Sequence, residues 1–132
     1  MNQITVTGNV TKDPELRYTA NGKAIATFSI ATSHGKDDNK QTTYHDIKVF
    51  NEMAENVGRS INKGCRVTVV GRLEKKVFDR KDGGKGLAID IIADEVALSL
   101  RWKSAVVDQS EQVLAKVTQA FGQPAAFDDD AF

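Results

Sequence analysis

The sequence predicts an all-β barrel with one short helix, and three observations carry that expectation. Apolar and polar residues alternate with period two along most of residues 1–103, which marks half-buried strands. Turn formers at Asp13-Pro14, Asn21-Gly22 and Gly83-Gly84 punctuate the alternation. The period becomes helical only once, between Asn51 and Gly64.

The first strand is Gln3–Val10, with Ile4, Val6, Gly8 and Val10 on one face and Thr5, Thr7 and Asn9 on the other. Gly8 in its middle signals a bulge or a close backbone approach, as at a barrel corner. A second strand, Lys23–Thr32, follows the Asn21-Gly22 turn, and its Phe28 belongs to the core. The polar stretch Ser33–Gln41 reads as the tip of a long hairpin. The third strand, Thr42–Phe50, sets Tyr44, Asp46, Lys48 and Phe50 against Thr43, His45, Ile47 and Val49.

Asn51 is a candidate helix cap, and Met53, Val57 and Ile61 recur every four residues until Lys63-Gly64 ends the run. Cys65–Phe78 is the fourth strand, and Cys65 at its start is a small packed hydrophobe. A charged turn, Asp79–Lys85, leads to the last strand around Leu87–Leu98. Three strands, a short helix and two strands is the element order of the OB-fold, a five-stranded, partly open barrel.

The barrel is expected to end at Trp102-Lys103, which divides the chain into a domain of residues 1–103 and a tail of residues 104–132. Charge supports the division. The net charge of zero conceals a body with 17 Lys/Arg and 13 Asp/Glu, and a tail with Lys116 against five acids. Within the tail, Ser110–Phe121 puts Val113, Leu114, Val117 and Phe121 on one side, as a short helix or as part of a flexible linker. The chain closes on Phe127-Asp128-Asp129-Asp130-Ala131-Phe132, two rings around three carboxylates.

Several function classes lack their residues. One cysteine excludes an internal disulfide and a multi-cysteine zinc site, and the two histidines, His34 and His45, have no metal motif. There is no phosphate-cradling glycine loop, nucleophile elbow or acid pair, so neither a catalytic site nor a cofactor is expected. No run of about 20 apolar residues or signal-peptide pattern appears, which points to a cytoplasmic protein that does not enter membranes.

These segments resemble the bacterial and phage single-stranded DNA-binding protein family. The resemblance lies in Val6-Thr7-Gly8-Asn9 with Asp13-Pro14-Glu15-Leu16-Arg17-Tyr18, and in Phe28-Ser29-Ile30-Ala31-Thr32. It continues through Tyr44-His45-Asp46-Ile47-Lys48-Val49-Phe50, Ala54-Glu55, Lys63-Gly64 and Val69-Val70-Gly71-Arg72-Leu73. The ending Asp128-Asp129-Asp130-Ala131-Phe132 is similar to the family's acidic tip. The resemblance implies a homotetramer of OB barrels that wraps single-stranded DNA and is nucleoid-associated. It also implies recruitment of replication, recombination and repair proteins by Phe127–Phe132.

Binding unpaired DNA without reading sequence takes cations along a groove and rings on which bases stack. Matched to the family pattern, Tyr44, Phe50 and Phe78 fall at stacking positions. Arg17, Lys48, Arg72 and Lys76 are the expected phosphate contacts, and His45 is the expected subunit contact. The family often carries tryptophan where Tyr44 and Phe78 stand, and in the loop that here reads Ser33-His34-Gly35-Lys36. The expected stacking surface is therefore smaller. An OB-type protein adaptor and a cold-shock-like RNA-binding barrel are the competing readings.

Overall fold

The computed structural model describes residues 1–108. Six strands and one helix follow in the order β1 (Ile4–Val10), β2 (Glu15–Tyr18), β3 (Ala24–His34), β4 (Gln41–Phe50), α1 (Asn51–Ser60), β5 (Arg66–Asp79) and β6 (Lys85–Leu98). The sheet order is β1-β5-β6-β4-β3-β2, and β1 also pairs with β3. That extra pairing closes β1, β5, β6, β4 and β3 into a ring of five strands, the OB-type barrel expected from the element order.

Inward side chains fill the ring. Phe28 and Ile30 of β3, Ile47 and Val49 of β4, Val67 and Val69 of β5 and Ile91 of β6 are all buried. Burying one such side chain stabilises the fold by roughly 1.5–3 kcal/mol. Helix α1 packs on β2, β3 and β4, and contributes Ala54 and Val57 to the core. Cys65 packs against the same core from just before β5, as expected.

Two glycines make closure possible. Gly8 and Asn9 still pair with Val67 and Arg66 of β5, and from Asn9 the strand also joins β3, where Asn9 pairs with Ala31 and Val10 with Ile30. A β-carbon on Gly8 would collide with the Ala31 carbonyl, so the expected close approach is present. Gly71 lies at a register shift between β5 and β6, where its own β-carbon would strike the Ile92 carbonyl. Such bulges bend strands and tighten barrels. At the end of β1, the Asn2 side-chain amide continues the ladder, donating to the Leu73 carbonyl at 3.1 Å and accepting from its N–H at 2.7 Å.

Two sequence expectations need correction. Glu15–Tyr18, assigned to no element from the sequence, is a strand, pairing Glu15 with Thr27 and Arg17 with Ile25. Four residues between Pro14 and a turn are too few to show a period, and the pairing comes from β3. Asn51 does not cap the helix through its side chain. It is the first helical residue, at φ 63, and Phe50 holds the cap position. Asparagine tolerates this left-handed backbone better than most residues, which explains its presence there.

Hairpin β3–β4 is also tighter than expected, since His34 pairs with Gln41 and a single 3₁₀ turn, Asp37–Asn39, closes it. After β6 the chain is irregular from residue 99, and the Arg101 guanidinium lies 5.1 Å from the centre of the Trp102 ring. The expectations for Ser110–Phe121 and for Phe127–Phe132 lie outside the described residues. No described helix is long and apolar enough to cross a membrane.

Candidate nucleic-acid interface

Strand parity decides which side chains can meet a long polymer. Cross-strand partners point to the same side of a sheet. Since Ile47 and Val49 point inward, Tyr44, Asp46, Lys48 and Phe50 of β4 point outward. Their partners Ala31, Ser29, Thr27 and Ile25 share that outer face, and Ile25 in turn carries Arg17 of β2 onto it. On the other side, Asp46 lies beside Asp90 of β6, and Asp90 opposes Glu74 of β5. Arg72, Lys76 and Phe78 lie two or four residues from Glu74 along β5 and share its parity, so they point outward too. All seven residues expected at the DNA surface thus occupy one face of the β2-β3-β4-β6-β5 sheet.

The structure gathers four of them more closely. Arg17, Lys48, Phe50 and Lys76 line one concavity of about 430 Å³, together with Tyr18, Thr19, Ile25 and Thr27. Tyr44, Arg72 and Phe78 lie on the same face outside that concavity. The three rings are open to solvent, Tyr44 at 67%, Phe78 at 49% and Phe50 at 38%. Phe28, by contrast, is buried at 3%. Phe78 rests over Gly86, its partner on β6, where the missing side chain leaves room for the ring.

The cations are not bare. Arg17 pairs with Glu15 at 3.7 Å, Lys76 with Glu74 at 3.1 Å and Lys48 with Asp90 at 3.5 Å. The more exposed pairs, those of Arg17 and Lys76, contribute about 0–1 kcal/mol, so a phosphate can displace their carboxylates at small cost. Lys48 and Asp90 are more enclosed, with side chains 32% and 14% exposed. Among the described residues Arg72 forms no ion pair, so of the four expected cations on this face its charge is the one not already matched by a carboxylate.

His45 lies elsewhere. It shares the inward parity of Ile47 but sits half-buried near the end of the barrel, with Nε2 3.2 Å from the Thr32 hydroxyl. Reasoning from sequence missed Tyr18, Ile25 and Thr27 as groove residues. Their signal was weak because β2 was unrecognised, and Ile25 and Thr27 were placed on a strand without a face. It also missed the carboxylates beside each cation, because Asp90 is far from Lys48 in the chain and only the sheet register joins them.

A closed five-stranded barrel with exposed rings and cations across one sheet face defines an OB-type nucleic-acid-binding barrel. The particular family is set by comparison with known proteins. The chain belongs to the single-strand binding protein family, whose model matches residues 1–99. It is 40% identical to a single-stranded DNA-binding protein of Paenarthrobacter aurescens over 116 residues, covering 83% of this chain and 68% of the relative. A protein of the same description from Mycolicibacterium smegmatis is 36% identical over 116 residues, 83% of this chain and 70% of its own length. Another from Corynebacterium glutamicum is 37% identical over 114 residues, 81% of this chain and 51% of its own.

Proposed function

We propose that the chain binds and protects single-stranded DNA largely without regard to sequence, in replication, recombination and repair. The observation that carries this reading is the shared outer face, where Tyr44, Phe50 and Phe78 stand among Arg17, Lys48, Arg72 and Lys76. Rings offer bases a stacking surface that any base accepts, and the cations add a salt-sensitive attraction for phosphates. Relatives described as single-stranded DNA-binding proteins support the same reading. Photocrosslinking of a bromouracil-substituted oligonucleotide, followed by peptide mass spectrometry, tests it. Adducts are expected on peptides carrying Tyr44, Phe50 or Phe78. Adducts confined to α1 would place the DNA on another surface.

The working protein in this reading is a homotetramer located at the nucleoid, each subunit a DNA-binding barrel of residues 1–103 with a tail of residues 104–132. Two features support self-association. Ile4–Gly8 of β1 pairs with β5 on one side only, among the described residues, leaving an edge for another strand. His45, held by Thr32, lies near the point where Gly8 meets β3, within reach of a subunit packed there.

The tail carries the partner-binding role. Phe127 and Phe132 supply apolar anchors, and Asp128, Asp129 and Asp130, set off from Phe132 by Ala131, supply charge for a basic, apolar-floored pocket. Deleting Asp128–Phe132 is expected to abolish capture of partner proteins while oligo-dT affinity stays equal or rises. A marked loss of oligo-dT affinity on that deletion would contradict this division of labour.

A further inference from the structure

Beside the stacking groove lies a second pocket of about 230 Å³ whose chemistry differs from it. Lys12, Ser29, Asp46 and Asp90 line it, and it shares Thr27 and Lys48 with the groove. Carboxylates run across the sheet at this level, Asp46 beside Asp90 and Asp90 opposite Glu74. Two of the three are neutralised by lysines, Asp90 by Lys48 and Glu74 by Lys76. Asp46 is different. It accepts a hydrogen bond from the Ser29 hydroxyl at 2.6 Å and forms no ion pair among the described residues.

A charged carboxylate offers about four acceptor positions and no donor, and Ser29 takes one of them. The serine also fixes how the carboxylate is presented, since its own backbone is the strand partner of Asp46. A phosphate is repelled there, so the part of a DNA strand that fits Asp46 is a base edge carrying N–H donors. Cytosine and adenine present an exocyclic amine, whereas the edge of thymine presents two carbonyls around a single N–H. Acceptance of the cytosine amine by an acidic side chain is an established form of base contact. Lys12 and Lys48 on the same walls suit the phosphates that flank such a base.

We propose that Asp46, positioned by Ser29, is a specificity-determining residue that favours amino-bearing bases over thymine in this pocket. The proposal rests on the single-stranded DNA reading and adds a compositional bias to it. The test compares labelled oligo-dC and oligo-dT of equal length, titrated with the full chain and with Asp46→Ala at one salt concentration and neutral pH. Intrinsic differences between the two polymers cancel when the ratio of affinities is compared between proteins.

Removing the charge is expected to raise oligo-dT affinity, while oligo-dC gains less or loses. The dC:dT affinity ratio should fall about fivefold or more, the lower end of what one good base contact discriminates. Ser29→Ala keeps the charge but frees its orientation, so the ratio should fall in the same direction with oligo-dT affinity nearly unchanged. Equal gains for both oligonucleotides in Asp46→Ala would show that the carboxylate acts as a charge alone, and would overturn the proposal. Failure of the unmodified chain to bind either oligonucleotide would instead overturn the DNA reading beneath it.

Discussion

Alanine at Phe78 is expected to weaken oligo-dT binding by about 1–3 kcal/mol, roughly 5- to 150-fold, while the fold stays intact. The ring is half-exposed near the end of the β5–β6 hairpin, and none of the core residues depends on it. What it loses on truncation is a stacking surface and the cover it gives Gly86. The cost to stability should therefore stay below about 1 kcal/mol, as for surface positions generally. Phe50→Ala should have a similar effect on affinity, because Phe50 lies in the cationic concavity with Arg17, Lys48 and Lys76. Tyr44→Phe serves as the control, since it keeps the ring and removes only the hydroxyl. A titration in which Phe78→Ala and Phe50→Ala both bind like the parent would place the DNA elsewhere.

Valine at Gly8 is expected to destabilise the barrel by more than about 3 kcal/mol, because its side chain would collide first with backbone, which cannot swing aside as a side chain can. The obstructing atom is the Ala31 carbonyl, and Thr32 Cγ2 stands 3.1 Å from the same position. Neither strand can move aside without opening the β1–β3 pairing that closes the ring. Urea denaturation followed by far-ultraviolet circular dichroism reads the effect as a lowered midpoint with little change in slope. A midpoint close to that of the parent would mean that β1 and β3 separate more readily than the register implies. Gly71 faces the Ile92 carbonyl in the same way, so it marks the second point at which closure depends on a missing side chain.

Much of this fold is written in the alternation of its strands. Period two states which residues share a face, even before the partners of that strand are known. Tyr44, Lys48 and Phe50 were therefore assignable to one side of β4, and Arg72, Lys76 and Phe78 to one side of β5. Gly8 signalled a corner because a glycine in an apolar register has no packing reason to be there. Phe50 is the instructive ambiguity. A phenylalanine on a strand is more often core than surface, and only the inward burial of Val49 beside it decides the matter.

Long-range register was not readable. The ion pair of Lys48 with Asp90 joins residues from β4 and β6, whose parallel pairing no local pattern announces. The strand Glu15–Tyr18 was hidden for a related reason. Its four residues gain their conformation from β3, so their own propensities carry little signal. The left-handed Asn51 was invisible too, since asparagine at a helix start reads first as a side-chain cap. The family resemblance supplied what local patterns did not, namely a role for outward-facing rings that a bare strand reading leaves as surface or core.

The most direct test of the central claim is fluorescence anisotropy of a dye-labelled oligo-dT titrated with the full chain at two salt concentrations, beside a duplex of equal length. Stacking on Tyr44, Phe50 and Phe78 requires unpaired bases, and contacts from Arg17, Arg72 and Lys76 release counterions. Tight binding to oligo-dT, weak binding to the duplex and a fall in affinity at the higher salt are the expected results. Equal affinity for duplex and oligo-dT, or no binding at low salt, would contradict the account.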